Sequence, residues 1–244
     1  MPSFERAGIS IHYEEQGSGF PVLLFAPGGM RSSIPFWEKA AWNPLRELAA
    51  DFRVIALDQR NAGQSFAPVR AQDGWGAYTA DHVALLDHLG IERCHVLGGC
   101  IGGSFSLGLM RAAPSRVVAG VLQQPIGHTG DNREVFYKLF DDWAEEIAPR
   151  HPEATPAAFK AFREQMYGGD FVFNVSRDDV RSVRSPLIVL MGNDIYHPSG
   201  ISREIASLAP QARLIERWKE PVVVPETIRG VREFLQSQTP AALG

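Results

Sequence analysis

Short runs of consecutive apolar residues recur along the chain. Most end at glycine, proline or a polar cluster, and helically spaced apolar residues fill the intervals. Pro21–Ala26 (PVLLFA), Arg53–Leu57 (RVIAL), Cys94–Leu97, Val117–Gln123 and Leu187–Met191 (LIVLM) are continuous enough to be strands buried on both faces. Ile9–Glu15 alternates apolar and polar positions, the pattern of a half-buried strand, and Ala212–Trp218 reads as the last strand. Between them the spacing predicts helices over Phe36–Ala50, Tyr78–Leu89 (stopped by Gly90), Phe105–Ala113 (closed by Pro114), Ser202–Leu208 and Glu226–Gln236. Strands alternating with helices imply right-handed crossovers and a mostly parallel sheet covered on both faces. Ligands of such a sheet sit beyond the carboxyl ends of its strands.

The rhythm breaks once. Between Gly127 and Ser185 there is no strand pattern, only helix-like pieces rich in aromatic residues such as Phe136, Phe140, Trp143, Phe162 and Tyr167. The segment leaves after one strand and returns just before the next, as a cap inserted over the sheet does. The expectation is one domain over residues 1–244 with a cap over residues 127–185. Aromatics at helical spacing pack as the cap's own core, with a minority facing the cavity below.

Composition narrows the classes. The 244 residues suit a single α/β domain, and 45% hydrophobic with 21% charged residues is too apolar for disorder. With 24 Lys and Arg against 28 Asp and Glu the net charge is −4, which leaves no basic footprint for nucleic acid or anionic membrane. The expected partner is a small-molecule substrate, and a homodimer is left open. The two cysteines, Cys94 and Cys100, lie six positions apart on a strand. That is about 20 Å, too far for a disulfide. Free thiols imply a reducing compartment. The opening MPSFERAGISIHYEEQG lacks the apolar core of a signal peptide, and no apolar run nears the ~20 residues of a membrane span. A cytoplasmic location follows as the expectation. No H-E-x-x-H or zinc-type cysteine pair occurs, so no metal or cofactor is expected.

The densest chemical signal is His95-Val96-Leu97-Gly98-Gly99-Cys100-Ile101-Gly102-Gly103-Ser104, where a strand turns into a helix. A dinucleotide-binding G-x-G-x-x-G fails because Cys100 holds the middle glycine position, and a G-x-x-x-x-G-K-[ST] phosphate loop is absent. Gly-x-Cys-x-Gly instead has the spacing of a nucleophile elbow, with Cys in place of Ser. A strained nucleophile on so sharp a turn needs neighbours without side chains, so that strand and helix can pass closely.

With that elbow, three further stretches resemble the α/β-hydrolase superfamily in the order its fold requires. Pro27-Gly28-Gly29-Met30 resembles the His-Gly-x oxyanion loop, with Pro27 where His is usual. Asp58-Gln59-Arg60-Asn61-Ala62-Gly63-Gln64-Ser65 resembles the D-x-R-G-x-G-x-S turn, with Asn61 replacing the first Gly. Gly192-Asn193-Asp194 resembles the loop holding the triad acid. The resemblance implies an α/β-hydrolase fold: a mostly parallel twisted sheet, helices on both faces and a small helical cap. It also implies Cys100 as nucleophile, as in the superfamily's dienelactone hydrolases, and Asp194 as orienting acid. The amides of Ile101 and Gly29 (or Met30) become the oxyanion donors. A helix beginning after Cys100 favours its thiolate, whereas Cys94 reads as strand filler.

The chain departs from the family at the base. The resemblance puts the triad His after the last strand, at Trp218 or Lys219, yet all seven histidines precede residue 198. His197, three residues after Asp194, is one substitute. His128, at the cap entrance, is a second, and Lys219 or Glu220 in the usual His loop are others. His82 and His88 read as packing residues. Three functions remain: a hydrolase of a small ester, lactone, thioester or activated C–C bond; a lyase or isomerase on the same fold; or a non-catalytic binder of a small molecule.

Overall fold

The architecture comes from a computed structural model that describes residues 2–241. Met1 and residues 242–244, which the one-domain reading includes, lie outside the described residues. Eight strands form one sheet: β1 (Ser3–Arg6), β2 (Ile9–Gln16), β3 (Pro21–Phe25), β4 (Arg53–Leu57), β5 (Cys94–Gly99), β6 (Val117–Gln123), β7 (Leu187–Leu190) and β8 (Ala212–Ile215). Their order is β1-β2-β4-β3-β5-β6-β7-β8. β1 and β2 pair antiparallel, β2 joins β4 antiparallel, and every later pairing is parallel. The helices are α1 (Pro44–Glu47), α2 (Trp75–His88), α3 (Ile101–Ala112), α4 (Arg133–Ile147), α5 (Pro156–Tyr167), α6 (Arg177–Arg181), α7 (Ser199–Leu208) and α8 (Val224–Gln238).

Two apolar layers sandwich the sheet. Leu85 and Leu86 of α2, Phe105 and Leu109 of α3 and Ile205 of α7 pack on one face. Leu45 of α1, Trp37, Trp42 and Val231 and Leu235 of α8 cover the other. β5 and β7 are buried end to end and β3 from Val22 onward, which is why they read as continuous apolar runs. Among the described residues no helix is long and apolar enough to cross a membrane.

Three elements differ from expectation. Phe36–Ala50 is not one helix but a 3-10 segment, Ile34–Lys39, followed by the four-residue α1. Pro44 supplies no amide to continue a helix and constrains the residue before it, so the apolar spacing closes into two short pieces. β8 stops at Ile215, three residues early. Trp218 instead folds back, its indole N–H donating to the Met191 carbonyl at 2.8 Å. β1 carried too short a pattern to be read.

Between β6 and β7 the chain leaves the sheet for α4, α5 and α6, and among the described residues no strand interrupts them. Phe140, Trp143 and Phe162 meet edge to face at 5.2–5.8 Å, and Phe136 stacks on Tyr167 at 5.4 Å. These aromatics pack on one another, as their spacing predicts.

The turn after β4 is built around Asp58. Its Oδ1 accepts from the Ile34 amide (2.7 Å) and its Oδ2 from the Gln64 amide (2.8 Å). A Cβ at Gly63 would lie 2.1 Å from Oδ2, so only glycine fits. Asn61 has φ 59°, a left-handed conformation Asn tolerates, and this accounts for its replacing glycine. Buried Arg60 ties the turn to α2 through Asp81 at 2.8 Å and lies 3.4 Å from Asp73.

Candidate active site

Strand β5 delivers Cys100 into the strained region expected of an elbow, at φ 58° and ψ −118°, as the cap residue of α3. The two glycines at the elbow spacing are sterically required. A Cβ on Gly98 would lie 2.0 Å from the Gly102 carbonyl oxygen, and one on Gly102 would lie 2.2 Å from the Phe25 carbonyl oxygen. The Cys100 amide donates to the Gln123 carbonyl at 2.9 Å, and its carbonyl accepts from Gly103 and Ile126. The residue is half-buried and is among those lining a cavity of about 320 Å³.

The loop after β7 brings Asp194 and His197 together. His197 Nδ1 lies 2.9 Å from Asp194 Oδ2, and Asp194 Oδ1 accepts from the Tyr196 and His197 amides at 2.9 and 3.0 Å. Nδ1 therefore carries its proton toward the carboxylate, leaving Nε2, which is buried and without a fully formed hydrogen bond. The Cys100 thiol is within interaction range of this imidazole. Gly192, two residues before Asp194, allows the loop to close: a Cβ there would lie 2.3 Å from the His197 carbonyl oxygen.

The titrations of the two groups move in opposite directions. Burial opposes a Cys100 thiolate. The His197 charge and hydrogen bond, with the amides of Gly28 and Ile101, outweigh it and lower the thiol's pKa. For His197, burial favours the neutral ring, but the Cys100 charge and hydrogen bond, then Asp194, push its pKa up to about 9. The Asp194 carboxyl, despite burial, is held below its ordinary value by His197 and the two loop amides. The groups favour a thiolate–imidazolium pair, and its protons belong to the pair rather than to either residue.

The loop amide at the sulfur is that of Gly28, one residue before the expected Gly29 and two before Met30. Gly28 sits at φ 122° and leads into a 3-10 turn over Gly29–Arg31 that turns Met30 into the core. The Ile101 amide is the other backbone donor at the sulfur. Tyr167 also stands near the thiol, its hydroxyl pKa raised first by burial and then by the Cys100 charge. Neither Gly28 nor Tyr167 was distinguishable in the sequence, one being hidden by backbone conformation and the other by its place in an aromatic series.

The remaining candidates fall elsewhere. The His128 ring faces Asp170 at 3.4 Å, and among the described residues it makes no interaction with Cys100. Lys219 stands in the loop after β8 and lines the Cys100 cavity, its Nζ donating to Asn193 Oδ1 (2.7 Å) and Gln124 Oε1 (3.2 Å). Glu220 is exposed beside Arg217. His82 is buried against Gln59 (2.8 Å), where burial, then the Arg60 charge, lowers its pKa to about 3. His88 packs on Phe4 at 4.9 Å. Cys94 is fully buried, and burial pushes its thiol up to about 12. Among the described residues no group of three or more metal-ligating side chains converges.

Residues 21–171, spanning β3 through the elbow to the end of α5, match the family described as alpha/beta hydrolase fold. The chain belongs to that family. It is 34% identical over 230 residues to a candidate carbamate hydrolase (RutD) of Caulobacter sp. (strain K31), covering 81% of this chain and 82% of that one. It is 34% identical over 122 residues to the 2-hydroxymuconate semialdehyde hydrolase of Pseudomonas sp. (strain CF600), covering 50% of this chain and 42% of that one. The match spans only 42% of the length of each of the first curated relatives. In structure the chain is similar to a meta-cleavage product hydrolase of Pseudomonas fluorescens IP01, with a TM-score of 0.73, 19% identity and 98% of each chain covered. The loop after β8, where the family resemblance places a histidine, holds none; His197 stands in the loop after β7.

Proposed function

We propose that the protein is a hydrolase of small carbonyl compounds, namely esters, lactones, thioesters or activated C–C bonds. Cys100 is the nucleophile, His197 the acid–base group and Asp194 the residue that orients the imidazole. The single observation that carries this is the continuous Asp194–His197–Cys100 arrangement, with the free Nε2 turned to the thiol. The names of the relatives, carbamate hydrolase and semialdehyde hydrolase, support hydrolysis of small substrates.

In the first half-reaction the Cys100 thiolate attacks the substrate carbonyl carbon. The carbonyl electrons move to oxygen, which the Gly28 and Ile101 amides stabilise. Two such donors act where charge develops and contribute about 2.7–4 kcal/mol each. The tetrahedral intermediate collapses and the leaving group departs with the proton from His197 Nε2, giving a Cys100 thioester. In the second half, neutral Nε2 takes a proton from water. The resulting hydroxide attacks the thioester, and the thiolate leaves as the acid product forms. Asp194 keeps the proton on Nδ1 throughout, so Nε2 is always the exchanging nitrogen.

Residues 127–185 serve as the cap in this reading, and Tyr167 is a cap residue close to the thiol. The expected setting is a reducing compartment, where a reactive free thiol persists. An activated ester such as 4-nitrophenyl acetate, in oxygen-18 water, is expected to give a burst of nitrophenol followed by turnover with the label in the acid. Label-free product with continued turnover overturns hydrolysis in favour of a lyase. Full turnover by Cys100→Ala overturns the nucleophile assignment.

A further inference from the structure

We infer that the cavity beside Cys100 selects substrates carrying a carboxylate, held by Lys219 and Lys39; this rests on the reading of Cys100 as nucleophile. The cavity, about 320 Å³, lies between the 3-10 segment Ile34–Lys39 and the loop after β8, and its lining includes no residue of the 127–185 segment. Phe36, Ala40 and Trp218 give it an apolar side, while Lys39 and Lys219 supply two cations and no carboxylate lines it. Its volume lies at the small end of ligand sites, suited to a short-chain acid derivative.

Both cations are available. Lys219 Nζ donates to two neutral oxygens, Asn193 Oδ1 at 2.7 Å and Gln124 Oε1 at 3.2 Å. An ammonium has three donors, so one remains for a ligand. Lys39 Nζ lies 5.0 Å from the Phe36 ring centroid. Neither lysine is paired with an acidic side chain among the described residues. The nearest acidic residues in sequence are engaged elsewhere, Glu38 with Arg46 at 2.6 Å and Glu220 with Arg217 at 3.5 Å. The His197 imidazolium balances the thiolate, so the two lysine charges are left for the ligand. A mono-ester of a short dicarboxylic acid meets these conditions. Its ester carbonyl lies by the Gly28 and Ile101 amides, its methylenes against Phe36 and Trp218, and its free carboxylate at the lysines.

Alkylation isolates this preference from turnover, because iodoacetate and iodoacetamide react with the same sulfur and differ in one charge. The measured quantity is the ratio of their rate constants at Cys100 in the intact protein, relative to the same ratio for N-acetylcysteine. A relative ratio of about fivefold or more is expected. It should fall about threefold or more in Lys219→Gln and in Lys39→Gln, persist in Lys219→Arg, and shrink at high salt. A relative ratio near one, or one that neither glutamine variant changes, overturns carboxylate selection while leaving the nucleophile reading intact. Failure of both reagents to modify Cys100 faster than N-acetylcysteine at pH 7 overturns the nucleophile reading and this inference with it.

Discussion

At the scale of single residues, the site consists of a sulfur and an imidazole that each perturb the other. In Cys100→Ala the charge that raises His197 is gone. Its titration, followed by the NMR shift of the ring, is expected to fall well below about 9. In His197→Ala the opposite happens to the thiol: burial remains, its main counterweight is lost and the pKa rises. Iodoacetamide alkylation of that variant at pH 7 is expected to slow about tenfold or more, with its pH profile displaced upward. Asp194→Asn keeps the loop's shape but no longer fixes the tautomer. It is expected to lower kcat by roughly 10²–10⁴-fold with a smaller effect on KM. Cys100, Asp194 and Ile101 were legible because glycine spacing and strand ends mark them. His197 was legible only as one of several substitutes. Proximity to Asp194 in sequence made it a candidate, and only the loop folded over Gly192 turns its Nε2 to the thiol. Which amide of the loop after β3 faces the sulfur, Gly28 in the structure, is set by backbone conformation that residue identity does not reveal.

At the scale of elements, the elbow depends on two backbones crossing without a Cβ between them. Gly98→Ala and Gly102→Ala each place a carbon within about 2 Å of a carbonyl oxygen. Each is expected to cost about 2–3 kcal/mol, a fall in Tm of roughly 4–12 °C by calorimetry. An unchanged Tm for both contradicts the required close approach. The buried Arg60 ion pair makes a second element-scale test. Arg60→Met leaves buried Asp81 with only the more distant Arg6, at 3.9 Å, as a counter-charge, and is expected to lose about 3 kcal/mol in denaturant unfolding. Central strands were read to within two residues because burial on both faces leaves an unbroken apolar run. The Phe36–Ala50 segment departs from one helix because apolar spacing does not register Pro44, which divides it.

At the scale of the whole molecule, the parallel strand order brings three loops to one end of the sheet: the turn after β3, the elbow after β5 and the loop after β7. The first supplies an amide, the second the sulfur and the third Asp194 and His197. The usual histidine loop after β8 is thereby left to carry Lys219. Coupled titration has a global consequence. A histidine raised to about 9 stabilises the fold fully below its unfolded pKa of about 6.5 and ceases to do so as pH rises through about 9. The lowered Cys100 thiol stabilises the fold above the unfolded thiol pKa, about 8.5, and that contribution fades as pH falls through its lower folded value. The two contributions run in opposite directions between pH 7 and 10, so the stability gap between wild type and His197→Ala, from urea unfolding, is expected to persist across that range rather than close.

The account is tested most directly by rapid-quench mass spectrometry of wild type and His197→Ala with an activated ester, separating acylation of Cys100 from hydrolysis of the thioester. Wild type is expected to pass through an acyl-Cys100 species and clear it. His197→Ala should acylate more slowly and then retain the acyl group, its deacylation slowed on the order of a hundredfold or more. Clearance of the acyl group from His197→Ala at the wild-type rate would contradict the assignment of the base. Turnover with no acyl group ever found on Cys100 would contradict the assignment of the nucleophile.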